Sequence, residues 1–147
     1  MSLLVMCIGN REGGDDAIGP YIADRLKSTN IDVMDCGTTP ENYTGVVKKR
    51  KPEHLVIIDA IDMGLTPGSV RIVPKENIGT MHVSTHGIPL SVLITYLERF
   101  VEKVSLLGIQ PKTMSGELTD TVKKSGEKLI EIIKKEKVTE IKELTIM

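Results

Sequence analysis

The chain has 147 residues, of which 40% are hydrophobic and 27% charged, with a formal net charge of -1. That length implies one domain over residues 1–147, with a core that buries about 68–70% of the unfolded surface without a disulfide or structural metal. The near-balanced charge excludes the broad positive field of a nucleic-acid binder, and 3% aromatic residues with no Trp exclude a base-stacking platform.

The first eight residues, Met-Ser-Leu-Leu-Val-Met-Cys-Ile, lack a basic lead and a cleavage site. They are expected to form a strand, not a secretory leader. Leu3 to Ile8 is almost wholly apolar, the pattern of a strand covered on both faces. A Gly-rich loop, Gly9 to Asp16, follows. Asp15 or Asp16 is expected to open a helix, with Ile18, Tyr21, Ile22 and Leu26 on one face and Pro20 early enough to be tolerated.

Ile31 to Cys36 reads as a second strand, and Tyr43 to Lys51 as a short helix stopped by Pro52. His54 to Asp59 reads as a third strand and Val70 to Val73 as a fourth, close enough to the third to form a hairpin-like pair. Asn77 to Thr85 is expected to be loop. Ile88 to Lys103 carries Leu90, Leu93, Ile94, Leu97 and Val101 at helical spacing. Val104 to Ile109 reads as a fifth strand. Thr119 is placed to cap a last helix with Val122, Leu129, Ile130 and Ile133 inward, and Val138 to Ile146 is an edge strand or a tail. Alternating strands and helices with short connections predict an α/β fold, a mostly parallel sheet sandwiched by helices. No apolar run approaches the roughly 18–20 residues needed to span a bilayer, so a soluble, cytoplasmic protein is expected.

In such sheets ligands sit beyond the carboxyl ends of the strands. Asp16 follows the first strand, Asp59 ends the third, and His86 precedes the long amphipathic stretch. Two carboxylates and an imidazole on one edge make a partial coordination shell for zinc, nickel, manganese or cobalt, with positions left open. Each residue also has a plainer use: Asp15 as a helix cap, Asp62 as a turn residue before Gly64, His86 as a helix-start residue. Phosphate binding fits poorly, because the loop lacks the P-loop ending and the dinucleotide spacing and carries Glu12, Asp15 and Asp16. Cys7 and Cys36 lie in apolar stretches and read as core thiols, although a Cys36–His86 nucleophilic pair is conceivable. Lys48-Lys49-Arg50-Lys51 reads as a solvated basic face, and His54 and His82 as structural or surface residues.

Gly9-Asn10, Gly14-Asp15-Asp16-x-x-Gly19, Asp59-Ala60-x-Asp62-x-Gly64-x-x-Pro67-Gly68, Thr85-His86 and Leu107-Gly108-Ile109-Gln110-Pro111 occur in that order. Together they resemble the nickel–iron hydrogenase maturation endopeptidases, in particular the branch that serves formate-hydrogenlyase-type hydrogenases. The resemblance runs from Leu4 to about Lys135. It implies a three-layer αβα sandwich around a roughly five-stranded twisted sheet. It also implies removal of a carboxy-terminal extension from the hydrogenase large-subunit precursor once nickel has been inserted. The family's nickel-contacting positions fall on Asp16, where some members carry Glu, and on Asp59 and His86. The nickel would be presented by the substrate, and other divalent ions could stand in for it. Asp35, Asp62 and Glu41 are the carboxylates that could act as general base. A non-enzymatic nickel carrier or checkpoint for hydrogenase assembly, with the same ligands, is the alternative.

Overall fold

The apolar runs become strands of one sheet. The computed structural model describes residues 2–80, 82–83 and 88–145. In chain order these form β1 (Leu3–Cys7), α1 (Ile18–Leu26), β2 (Asp32–Asp35), α2 (Thr44–Arg50), β3 (His54–Asp62), β4 (Val70–Ile72), β5 (His82–Val83), α3 (Leu90–Leu97), β6 (Lys103–Ile109) and α4 (Asp120–Lys134). The sheet order is β2-β1-β3-β6-β4, and the two-residue β5 pairs with the end of β3. β2, β1, β3 and β6 are parallel, and β4 is antiparallel to β6.

The period-two alternation of the strands divides the core in two. Val5, Cys7, Val56 and Ile58 face α1 and α4, meeting Ile18, Ile22, Leu26, Val122, Leu129 and Ile133. Leu4, Met6, Leu55 and Ile57 face the other way, toward Val47 of α2 and Leu90, Leu93, Ile94 and Leu97 of α3. Helices therefore cover both faces, giving the αβα sandwich. Each fully buried Leu or Ile contributes roughly 1.5–3 kcal/mol relative to its exposed state, so the paired clusters supply the main drive to fold. No described helix is long and apolar enough to cross a membrane.

Several expectations are corrected. β3 and β4 form no hairpin: β1 and β6 already flank β3, so β4 takes the free edge of β6, with Val70 opposite Ile109. β3 runs on to Asp62, because Asp59 and Ala60 still pair with Gly108 and Ile109, and Ile61 and Asp62 pair with Val83 and His82. The Asn77–Thr85 stretch is not all loop: a 3₁₀ turn covers Lys75–Thr80, and β5 follows it. The helix expected over 88–103 is only Leu90–Leu97; it closes through the N–H groups of Phe100 and Val101 onto the Leu97 carbonyl, and Lys103 is already strand, opposite His54. Beyond α4 the chain makes a 3₁₀ turn, Val138–Glu140, and a single parallel bridge from Glu143 to Ile72.

Candidate functional site

β1 and β3 lie side by side, but the chain leaves β1 for β2 on one side and β3 for β4, beyond β6, on the other. That reversal opens a crevice at the carboxyl ends of the two strands. The loop from Gly9 to Asp16 is drawn tightly into it. Gly9 has φ +155°, and a Cβ there would lie 2.0 Å from the Asp16 carbonyl oxygen. At Gly19 a Cβ would lie 2.2 Å from the Ile8 carbonyl oxygen, so α1 sits against the end of β1 only because that residue has no side chain.

Asp16 is 4% exposed, and its Oδ2 accepts the Asn10 backbone N–H at 2.8 Å. Asp59 is fully buried, and among the described residues neither of its carboxylate oxygens has a hydrogen-bond partner. Strand alternation places it with Leu55, Ile57 and Ile61, on the face covered by α2 and α3. Burial raises its pKa well above the usual carboxylate range, the Asp16 carboxylate adds to the shift, and the nearby Ala60 N–H, outside hydrogen-bond geometry, opposes it only slightly. A buried charge with no partner is expensive, and groups perturbed in this way concentrate at functional sites.

Asp15 is also fully buried, but it is fully engaged. Its carboxylate accepts the backbone N–H groups of Lys112 at 2.8 Å, Thr113 at 3.2 Å and Thr119 at 2.7 Å, and the Thr119 hydroxyl at 2.9 Å. This replaces two expected caps. Neither Asp15 nor Asp16 caps a helix start, and the Thr119 hydroxyl turns to Asp15 instead of capping α4. Asp15 thus ties the 112–119 loop to the loop that carries Asp16.

Asp35 ends β2. Its carboxylate accepts Arg11 Nη2 at 2.6 Å and the Gly37 N–H at 3.2 Å, while Arg11 also grips Asp24 with both terminal nitrogens at 2.7 and 2.8 Å. These bonds hold Asp24 below the usual carboxylate range. Asp35 lines an open cleft of about 460 Å³ with Gly9, Asn10, Arg11, Thr38 and Tyr43. Asp62 is elsewhere. Three residues after Asp59 on a continuous strand, it points from the opposite face of the sheet, where its Oδ1 accepts the Gly64 N–H and Gln110 Nε2, each at 3.1 Å. The structure therefore brings Asp16 beside Asp59, whereas Asp35, in register with Cys7, and Asp62 both lie on the sheet face opposite Asp59. Glu41 sits further along, beside Thr44 and α3.

His86 lies outside the described residues. Among the described residues no group of three His, Cys, Asp or Glu side chains could hold a metal ion. What is present is the acid pair. The thiols offer no nucleophile: burial pushes Cys36 up to about 12, and Cys7 is raised as well. His54 is structural, its Nε2 2.8 Å from the Ser105 hydroxyl, with its pKa lowered by burial and then by Lys103. Arg11 and the Asp15 clamp were not read as site features from sequence. Arg11 was visible as the one cation in an acidic loop, whereas Asp15's partners are 97 to 104 positions away in the chain.

The fold is α/β, and comparison with known proteins makes the chain a peptidase, a hydrolase. The chain belongs to the hydrogenase maturation protease family HycI, which matches residues 20–136. It is 39% identical over 115 residues to the hydrogenase 3 maturation protease of Escherichia coli K12, covering 76% of this chain and 74% of that one. The solution structure of the endopeptidase HycI from Escherichia coli superposes with a TM-score of 0.90 at 33% identity, over 99% of this chain and 97% of the other. The crystal structure of a [NiFe] hydrogenase maturation protease HycI from Thermococcus kodakarensis KOD1 gives a TM-score of 0.81 at 34% identity, over 92% of each chain.

Proposed function

We propose that this chain is an endopeptidase that removes a carboxy-terminal extension from the precursor of a [NiFe]-hydrogenase large subunit, and that it recognises nickel already held by that precursor. The observation that carries the proposal is the Asp59 carboxylate, buried beside Asp16 with both oxygens unpartnered among the described residues. A carboxylate kept in that condition suits a ligand that brings positive charge, and a divalent ion is the simplest such ligand. Nickel accepts carboxylate and imidazole alike, so Asp16, Asp59 and His86 would complete the shell of the substrate's own metal. Docking the metal fixes the nearby peptide relative to the enzyme, and that orientation is a large part of the catalysis.

Asp35 is the best-placed general base. It faces the open cleft, and Arg11 and the Gly37 N–H fix its orientation. It would take a proton from the water that attacks the scissile carbonyl, and the departing amine would receive one as the C–N bond breaks. Asp62 faces a separate pocket beside Gln110 and Pro111, and Glu41 the groove beside α3, whereas Asp35 shares its cleft with Gly9 and Asn10 of the loop that carries Asp16.

The test is incubation with purified precursor in nickel-loaded and nickel-free forms. The loaded form should be shortened and the empty form should persist. Equal cleavage of the two removes nickel recognition, and cleavage of neither removes the endopeptidase. A carrier would instead bind free nickel tightly in calorimetric titration and cut nothing.

A further inference from the structure

The two helical layers differ on their outer sides. α4 presents Lys123, Lys124, Glu127, Lys128 and Glu131 to solvent, as a helix bordering water should. α3 does not. Ile88, Val92 and Phe100, at four- and eight-residue intervals, are 44%, 54% and 43% exposed, and they are three of the four large exposed hydrophobic side chains among the described residues. Tyr96 completes the row and meets the Phe100 ring edge-on, with centroids 5.2 Å apart. Ile88 just precedes α3 and Phe100 just follows it, so with Val92 and Tyr96 they form one exposed apolar patch across the helix, and a contiguous patch of this kind marks an interaction surface, not scattered exposure.

The border of this row is basic. Lys48 Nζ of α2 lies 4.8 Å from the Tyr96 ring centroid and 4.6 Å from that of Phe100, and Arg99 lies over Phe100 at 5.9 Å. Arg50 is paired with Asp32. Lys48, Lys49, Lys51 and Arg99 have no ion-pair partner among the described residues, in a chain whose formal net charge is -1. Between α2 and α3 runs a groove of about 270 Å³, lined by Glu41, Thr44, Ile88, Val92, Leu93 and Tyr96. Within it Glu41 Oε2 is buried without a hydrogen-bond partner, an acceptor awaiting a donor. The groove continues into the site: Glu41 and Thr44 line it, while Thr39 and Tyr43 of the same segment line the cleft that holds Asp35. The groove lies on the sheet face from which Asp59 projects.

Resting on the function proposed above, we infer that the outer face of α3, with the basic residues of α2, docks the folded body of the precursor, through an apolar patch on the precursor edged by carboxylates. The helix carries the protein substrate while the adjoining cleft takes the segment to be cut. Such a surface governs binding more than chemistry.

The test uses the full chain and purified nickel-loaded precursor, with two separate readouts. Val92→Asp and Lys48→Glu should each raise KM by about tenfold, the effect of losing one good interface contact, with kcat within twofold. Lys124→Glu on α4 should change neither. Amide exchange of residues 90–100 on mixing reads docking whether or not the precursor is cut. Cleavage with protection of α3 supports the surface. Cleavage without protection, or with unaltered KM in both variants, overturns it and leaves the endopeptidase standing. Protection without cleavage keeps the surface and overturns the endopeptidase; neither signal overturns both. A wild-type dimer that Val92→Asp converts to monomers by light scattering shows the face to be a self-interface, and this too overturns the inference.

Discussion

Asp15 and Asp59 are both fully buried, at the same end of the same sheet. Asp15 is surrounded by four donors from a loop about a hundred residues away, and Asp59 by none among the described residues. Burial alone therefore does not mark a working residue. A buried carboxylate with its hydrogen bonds made strengthens the structure, and one without them weakens it for the sake of something that arrives later.

The sharpest way to break this contrast is to neutralise Asp59. Asp59→Asn should lower processing of nickel-loaded precursor about a hundredfold or more, beyond what loss of an outer-shell partner to a metal costs. The same variant should melt at a higher temperature than the wild type at neutral pH. The sign follows from proton linkage. The folded state raises the Asp59 pKa, so it holds a proton that the unfolded chain has already released. Stability is therefore lost as pH rises from the ordinary carboxylate range toward the raised value, and Asn escapes that loss. Melting curves across this interval should converge at the acid end and separate as pH rises. A destabilised Asp59→Asn would mean that hidden partners satisfy the group.

Replacing Asp35 comes next. Asp35→Asn should reduce kcat by about 10²–10⁴-fold, the usual effect of removing a general base, with KM little changed. Unchanged turnover would return the role to Asp62 or Glu41. Asp15→Ala should do the reverse of Asp59→Asn, lowering unfolding free energy by about 3 kcal/mol or more, because several N–H groups lose an ionised acceptor. Urea titration checks it; an undiminished midpoint would erase the distinction between the two acids. The smallest effect belongs to Gly19→Ala, where the new methyl group must push the Ile8 carbonyl away. About 1–3 kcal/mol of destabilisation is expected from such overpacking, again by urea titration.

The strands were legible because strands buried on both faces leave continuous apolar runs, as in Leu3 to Ile8 and Leu55 to Ile58. The placing of Asp16 and Asp59 on one edge followed from the same runs. What local pattern does not carry is the choice of neighbour. β4 pairs with β6, not β3, because of which edge was vacant, and Asp15 finds its donors across the molecule. The separation of Asp62 from Asp59 was hidden for another reason: the strand was expected to stop at its first charged residue, and a strand continuing past it sends the third residue on to the opposite side.

The bridge from Glu143 to Ile72, with the Leu144 N–H bonded to the Ile72 carbonyl at 2.8 Å, shields what would otherwise be the open flank of β4. Bare flanks recruit strands from other molecules. Deleting the residues after Lys137 should therefore leave the crevice chemistry intact yet make the protein prone to self-assembly, visible as concentration-dependent turbidity. The last few residues would then matter less to what the enzyme does than to how crowded a solution it can survive in.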